Sequence, residues 1–124
     1  MNLKSAVTTM LITHGIAPGK NGFGYLRDLI SLYHGNENEY AGRFTKKLYP
    51  EVGAMNKTTG TCVERSARYS YSESRTFGHL TLGAYIRTCG EFLNIANIGP
   101  DEFDVSIIRA CTENYKVMYN ELYH

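Results

Sequence analysis

Residues 47–74 of this 124-residue chain have the sequence KLYPEVGAMNKTTGTCVERSARYSYSES, which carries the clearest structural signal in the protein. Pro50 begins a short apolar segment, residues 57–60 predict a turn, and a longer amphipathic segment follows. Proline is tolerated at the first position of a helix, and threonine is a favourable N-cap. A short helix, a tight turn and a longer helix form a helix-turn-helix, which we predict at about residues 50–74.

The longer segment, predicted as a helix over about residues 59–74, has two faces at helical spacing. One face is apolar or small and consists of Val63, Ala67 and Ser70. The other face is polar and consists of Arg65, Arg68, Tyr69 and Ser72. Val52 and Met55 of the short helix are expected to contact the apolar face, with Ala54 and Gly60 keeping the helices close. A polar face rich in Arg, Tyr and Ser favours DNA contact over an ordinary solvated surface.

The residue types on this helix suit base and phosphate contacts. Arginine donates two hydrogen bonds to guanine O6 and N7, and Glu64 can accept one from a cytosine amino group. Lys57, Thr58 and Thr59 precede the helix, where phosphates are commonly held. Thr58 or Thr59 fits the N-cap position, but Thr61 and Glu64 have capping-box spacing, which leaves the first residue of the helix open. The alternative interpretation is a solvated helix on which Glu64 and Arg68 form an ion pair worth about 0.3–0.5 kcal/mol.

Charge is distributed unevenly along the chain, although the net charge is only +1. Residues 43–75 contain seven basic and three acidic side chains. The segments before and after them are neutral and acidic, respectively. A basic middle segment is the asymmetry that a local phosphate-binding surface would produce, although a chance fluctuation in a short chain would produce it too.

Helical patterns continue on both sides of residues 47–74. They cover residues 3–14, 25–33, 38–48, 80–87 and 100–124, with a glycine-rich loop at 16–24. Asn2 is placed to cap the first helix, and Pro100 is expected to open the last one, with three acidic residues in its first turn. Because strand-like alternation is absent from the sequence, we expect one all-α domain of about six helices over residues 1–124.

The sequence lacks the motifs of several functional classes, namely metal-binding proteins, membrane proteins and common enzyme families. The three cysteines and four histidines have no metal-ligand spacing, and no stretch approaches the roughly 18 apolar residues of a membrane span. No nucleophile elbow, glycine-rich phosphate loop or paired-carboxylate motif is present. We therefore expect a cytoplasmic, nucleoid-associated protein that is not an enzyme, requires no cofactor or metal and does not contact a membrane.

The helix-turn-helix stretch resembles the DNA-binding effector domain of the stage-zero sporulation response regulator. The resemblance rests on Tyr49-Pro50, on residues 56–59, and above all on Val63-Glu64-Arg65 with Arg68. It implies a six-helix fold whose second motif helix reads a short GC-containing promoter box in double-stranded DNA. It implies base contacts by Glu64 and Arg65. Supporting contacts, mostly to the DNA backbone, are assigned to Lys57, Thr58, Thr59, Thr61, Arg68 and Tyr69.

The same resemblance implies two protein partners and shows three departures. Members of the family bind tandem boxes head to tail and contact the sigma subunit of RNA polymerase. Cys62 stands where the family has arginine, which predicts weaker binding or a changed preference at one base pair. Tyr69 replaces a histidine. The family's receiver domain is absent from the chain, which is either an excised fragment or a free-standing effector.

A second function from a different class fits the sequence. In this interpretation the chain is a protein-interaction module, an antagonist that occupies the sigma subunit or a full-length regulator without activating transcription. Failure to bind any duplex, together with co-purification of a sigma subunit, would favour it.

Overall fold

The computed structural model describes residues 1–123, and it confirms the all-α prediction. Most of this part of the chain is helical, with seven α-helices and one π-helical turn. Two short strands also pair in an antiparallel arrangement. In chain order the elements are α1 (Leu3–Thr13), α2 (Asn21–Gly35), α3 (Glu37–Tyr40), the π-helical turn (Phe44–Leu48), α4 (Tyr49–Met55), α5 (Gly60–Tyr71), α6 (Leu82–Ala96), β1 (Asn97–Gly99), β2 (Glu102–Phe103) and α7 (Val105–Tyr123).

The helix-turn-helix consists of α4, the turn at residues 56–59 and α5. Pro50 lies in the first turn of α4, as the sequence predicts. The second helix ends at Tyr71 rather than at residue 74, because serine side chains compete with the helical backbone there. Ser72 Oγ donates to the Tyr69 carbonyl at 2.7 Å, and Ser74 Oγ accepts from the Phe77 amide at 3.2 Å.

The two motif helices approach each other through a pair of glycines. A Cβ on Gly53 would lie 2.8 Å from the Thr59 carbonyl carbon, and one on Gly60 would lie 2.9 Å from the Pro50 nitrogen. The predicted contacts of Ala54 and Met55 are wrong: both side chains are exposed, Met55 by 59%. The buried face of α4 is centred between Val52 and Gly53, and Ala54 and Met55 therefore face the solvent.

A second close approach joins α2 to α5. A Cβ on Gly22 would lie 2.0 Å from Ser70 Oγ and 2.2 Å from the Ser66 carbonyl oxygen. Gly22 and Gly24 were expected in a loop over residues 16–24, but α2 already begins at Asn21. The loop prediction is wrong at its end because Gly22 serves helix packing and not a turn.

Three other helix predictions need correction. The helix expected over residues 38–48 breaks at Gly42, whose φ of +71° is a left-handed conformation. The helix expected over residues 80–87 extends to Ala96, since Gly83 and Gly90 are accommodated within it. The last helix begins at Val105 and not at Pro100, because residues 97–103 form the short strand pair. Of the expected first-turn acids, Asp104 alone caps α7, accepting from the Ser106 amide at 2.9 Å.

The core is organised around α2, which packs against α1, α5 and α6. Helix α7 closes the opposite side by packing against α1 and α6. The fully buried side chains include Leu26, Leu29 and Ile30 of α2 and Ile86 and Leu93 of α6. Helix α5 is therefore held from beneath by α2 and α4, and its outer face is left free. Within residues 1–123 no helix combines the length and apolarity needed to cross a membrane.

A buried histidine joins α1, α6 and α7. His14 Nδ1 lies 2.7 Å from the Tyr85 hydroxyl, and Nε2 lies 3.1 Å from Thr112 Oγ1. Thr112 donates its own proton to the Ile108 carbonyl, so Nε2–H is the donor to Thr112 and Nδ1 accepts from Tyr85. Burial, with a smaller contribution from Lys116, lowers the pKa of His14 to about 3. The ring is therefore neutral in the folded protein at neutral pH.

We expect Gly22→Ala to destabilise the protein by about 1–3 kcal/mol, because the added methyl group would overlap the backbone of α5. The denaturant midpoint of unfolding measures the loss. Gly24→Ala is the matched control, since nothing lies within 4 Å of its Cβ position on the same helix. It should be neutral or stabilising by up to about 1 kcal/mol. Equal stabilities of the two variants would contradict the close contact of α2 and α5.

We expect the free energy of unfolding to fall as the pH drops below about 6.5. The unfolded chain binds a proton at His14 near its ordinary pKa of 6.5, whereas the folded protein does not until about pH 3. The contribution of His14 is therefore complete above pH 6.5 and declines by up to about 1.4 kcal/mol per pH unit below it. His14→Gln should be less stable at pH 7 and less pH-dependent. The ring signals of His14 in native-state NMR spectra should not shift between pH 8 and 4.5; a midpoint near pH 6.5 would contradict the assignment.

Candidate nucleic-acid interface

The turn before α5 is fixed by side-chain hydrogen bonds. Thr59 Oγ1 accepts from the Cys62 amide at 3.1 Å, which confirms Thr59 as the N-cap. Thr61 is exposed and does not cap the helix, so the start of α5 is settled. Asn56 donates to Asp28 of α2 at 3.0 Å and to the Val52 carbonyl at 2.9 Å. Lys57, at φ +55°, is exposed at the tip of the turn.

Helix α5 has the two faces that the sequence predicts. Its buried face consists of Val63, Ala67, Ser70 and Tyr71. Its exposed face consists of Thr61, Arg65, Arg68, Tyr69 and Ser72. The spacing of the exposed residues places Thr61, Arg65 and Ser72 along the centre of the face, with Arg68 and Tyr69 on either side. Five polar side chains therefore project together from one rigid helix.

Arg65 carries the freest charge of this face. It forms no hydrogen bond or ion pair with any other residue of the described chain, 1–123, and its side chain is exposed. All five of its N–H donors are available to a ligand. No structural role accounts for an arginine at this position.

Glu64 lies at the edge of the exposed face and faces Arg68. Glu64 Oε1 is 3.8 Å from Arg68 Nη1, and the two side chains are 37% and 60% exposed. This is the i,i+4 ion pair that the sequence offered as an alternative to DNA contact. The distance is too long for a hydrogen bond, so the pair leaves the donors of Arg68 available. The ion pair and a role in DNA contact are therefore compatible.

Glu64 borders a groove between α5 and the start of α6, which is also lined by Tyr49, Arg68, Tyr71 and Thr81. Burial, and secondarily the Glu64 carboxylate, raise the pKa of Tyr49 to about 12. The Tyr49 hydroxyl is therefore protonated beside Glu64, at the edge of the exposed face of α5.

The opposite flank of α5 contacts the start of α2. Lys20 Nζ lies 2.6 Å from Glu73 Oε1 and 5.0 Å from the centroid of the Tyr69 ring. Arg65 and Tyr69 share a shallow groove with Lys20. The sequence did not identify Lys20 or Glu73 as neighbours of the exposed face of α5. Their proximity depends on the crossing of α2 and α5 at Gly22, which no local pattern reveals.

Other basic residues lie on separate surfaces. Lys47 is paired with Glu39 and lies over the Tyr40 ring. Arg87 lies over the Phe44 ring, beside the exposed Lys46. No cluster of three or more His, Cys, Asp or Glu residues suited to a metal ion occurs among residues 1–123.

Residues 7–82 match the family described as the sporulation initiation factor Spo0A C terminal. The match extends from α1 to the first residue of α6 and contains the complete helix-turn-helix. The chain belongs to this family. The Spo0A C-terminal family is a family of DNA-binding domains that regulate transcription in sporulation, and it is not a family of enzymes. The suspected resemblance is confirmed, and the exposed face of α5 lies on the element that this family's fold presents as a helix-turn-helix.

Proposed function

We propose that the protein is a sequence-specific transcription regulator that inserts α5 into the major groove and reads a short promoter box. The observation that carries this proposal is Arg65, an exposed arginine without a hydrogen-bond or ion-pair partner among residues 1–123, in line with Thr61 at the centre of the exposed face of α5. The major groove is about 12 Å wide and admits one α-helix. Arg65 is the side chain best placed to donate two hydrogen bonds to guanine.

Glu64 has the second base-reading role in this proposal, as an acceptor for a cytosine amino group. Its ion pair with Arg68 prevents the carboxylate from facing DNA as an isolated negative charge. Lys57, Thr58, Thr59 and Thr61 surround the first turn of α5, where peptide N–H groups and lysine attract phosphate. Arg68 and Tyr69 border the same face and would contact the DNA backbone. Cys62 is half-buried beside them and supplies none of the charge of the arginine found in the family.

We also propose that residues 1–124 act as one effector unit in the cytoplasm, associated with the nucleoid. The packing of the first helix, α1, against the last helix, α7, supports this proposal. Head-to-tail binding to tandem boxes and contact with the sigma subunit of RNA polymerase are the protein interactions proposed for it.

One observation favours a second candidate function, a protein-interaction module that acts on the sigma subunit or on a full-length regulator. The apolar stripe of α7 continues beyond its buried part, where Met118 and Leu122 are 48% and 67% exposed. Such a surface suits a protein partner, and it would serve a module that does not bind DNA.

We expect Arg65→Ala to weaken binding to the selected box by about 1–3 kcal/mol and to relax selectivity at one base pair. Duplexes bound by the wild type are first selected from a random pool, which yields the box. Affinities of both proteins are then measured for the box and its single-base variants. Arg109→Ala is the matched control, since it removes an exposed arginine from α7. If Arg65→Ala changes neither affinity nor selectivity, α5 is not the reading helix.

We expect two molecules of the protein to bind a duplex with two tandem boxes more tightly than two separate duplexes with one box each. Analytical ultracentrifugation of the complexes gives the stoichiometry. Met118→Ser with Leu122→Ser tests whether α7 contributes, and Ile12→Ser, an exposed apolar residue of α1, is the control. Absence of duplex binding by the wild type, with retention on an immobilised sigma subunit, would replace the first function with the second.

A further inference from the structure

Lys20 is positioned beside the reading face by a packing constraint. Gly22 is buried under Ser66 and Ser70 of α5, and this contact brings the first residues of α2 alongside the helix. Lys20 lies two residues before Gly22, and its ammonium group reaches Tyr69 on the flank of α5 and Glu73 just beyond the end of that helix. The core packing therefore fixes the backbone position from which the Lys20 side chain extends towards α5.

A helix in the major groove lies between two walls of phosphates. An α-helix with its side chains is about 10–12 Å wide, which nearly fills a groove about 12 Å wide. Groups alongside the helix at the level of its exposed face therefore meet the phosphates of one strand. On the Tyr69 side of α5, that group is Lys20, which shares a groove with Arg65.

We propose that Lys20 is a phosphate-binding residue outside the helix-turn-helix, and that Glu73 competes with the DNA backbone for it. This inference rests on the proposed function. In the free protein Glu73 holds Lys20 at 2.6 Å and neutralises its charge. On DNA, a phosphate oxygen takes the place of the Glu73 carboxylate or shares the ammonium group with it.

The Lys20–Glu73 pair is suited to such an exchange. The two side chains are 40% and 47% exposed, so water and ions reach both partners and the pair opens at low cost. The Tyr69 ring lies 5.0 Å from Lys20 Nζ and attracts the ammonium group without neutralising it. When the carboxylate leaves, the ring keeps the charge beside the reading face. Glu73 thus reduces the affinity for DNA in general and has no effect on the choice of base.

The test measures duplex affinity as a function of salt for four proteins: the wild type, Lys20→Met, Glu73→Gln and the double variant. Lys20→Met should weaken binding by a similar factor for all duplexes and reduce the slope of log affinity against log salt by about 0.9, the value for one phosphate. Glu73→Gln should strengthen binding. Because its effect acts through Lys20, the gain should be markedly smaller in the Lys20→Met background.

Two control variants remove the same charges elsewhere. Lys4→Met removes an exposed lysine from α1, and Glu113→Gln removes an exposed carboxylate paired with Lys116 on α7. Thermal unfolding by circular dichroism establishes that each variant is folded. The proposal is overturned if Lys20→Met leaves the salt slope unchanged, if it alters base preference as Arg65→Ala does, or if the gain from Glu73→Gln is the same in both backgrounds. Each of these results would overturn the role of Lys20 but leave the proposed function intact, because the wild type would still bind its box. A wild type that binds no duplex overturns the proposed function, and this inference with it.

Discussion

The close approach of backbones beneath α5 is the constraint on which the rest of the structure depends. Gly22 of α2, together with Gly53 and Gly60 at the α4–α5 junction, leaves no room for a Cβ atom. These contacts hold the helix from two directions and fix its rotation about its own axis. The rotation determines which five side chains face outwards. If long, flexible side chains held the helix instead, it could rotate, and the orientation of its exposed side chains would be less well defined.

The local chemistry of the helix-turn-helix was predictable from sequence, whereas contacts between distant segments were not. The turn, the Thr59 cap and the two faces of α5 follow from residues within one or two helical turns of each other. Gly22, Gly83 and Gly90 led to wrong helix bounds, because the sequence alone does not distinguish a glycine inside a packed helix from a glycine in a loop. The base-reading roles of Glu64 and Arg65 remain predictions. Lys20 and Glu73 could not have been paired from sequence, because 52 residues separate them and their contact depends on the crossing at Gly22.

On and beside the exposed face of α5, two basic side chains are partly neutralised by carboxylates. Arg68 lies 3.8 Å from the Glu64 carboxylate, and Lys20 is paired with Glu73. Arg65 has no such partner among the described residues. A protein with a net charge of only +1 can in this way still present an arginine without an acidic partner among the described residues, beside cations that are partly neutralised. Surface ion pairs of this kind contribute little to folding.

The separation between the buried and the exposed face of α5 has a consequence for how such a protein can diversify. Thr61, Arg65 and Ser72 project away from the core, so replacing them changes stability little. A Cβ atom at Gly22, Gly53 or Gly60 would overlap neighbouring atoms, so substitution at these positions lowers stability. Substitutions are therefore costly at the buried glycines that orient α5 and are tolerated at the exposed positions of the same helix. Substitutions on the exposed face can therefore accumulate one at a time without unfolding the protein.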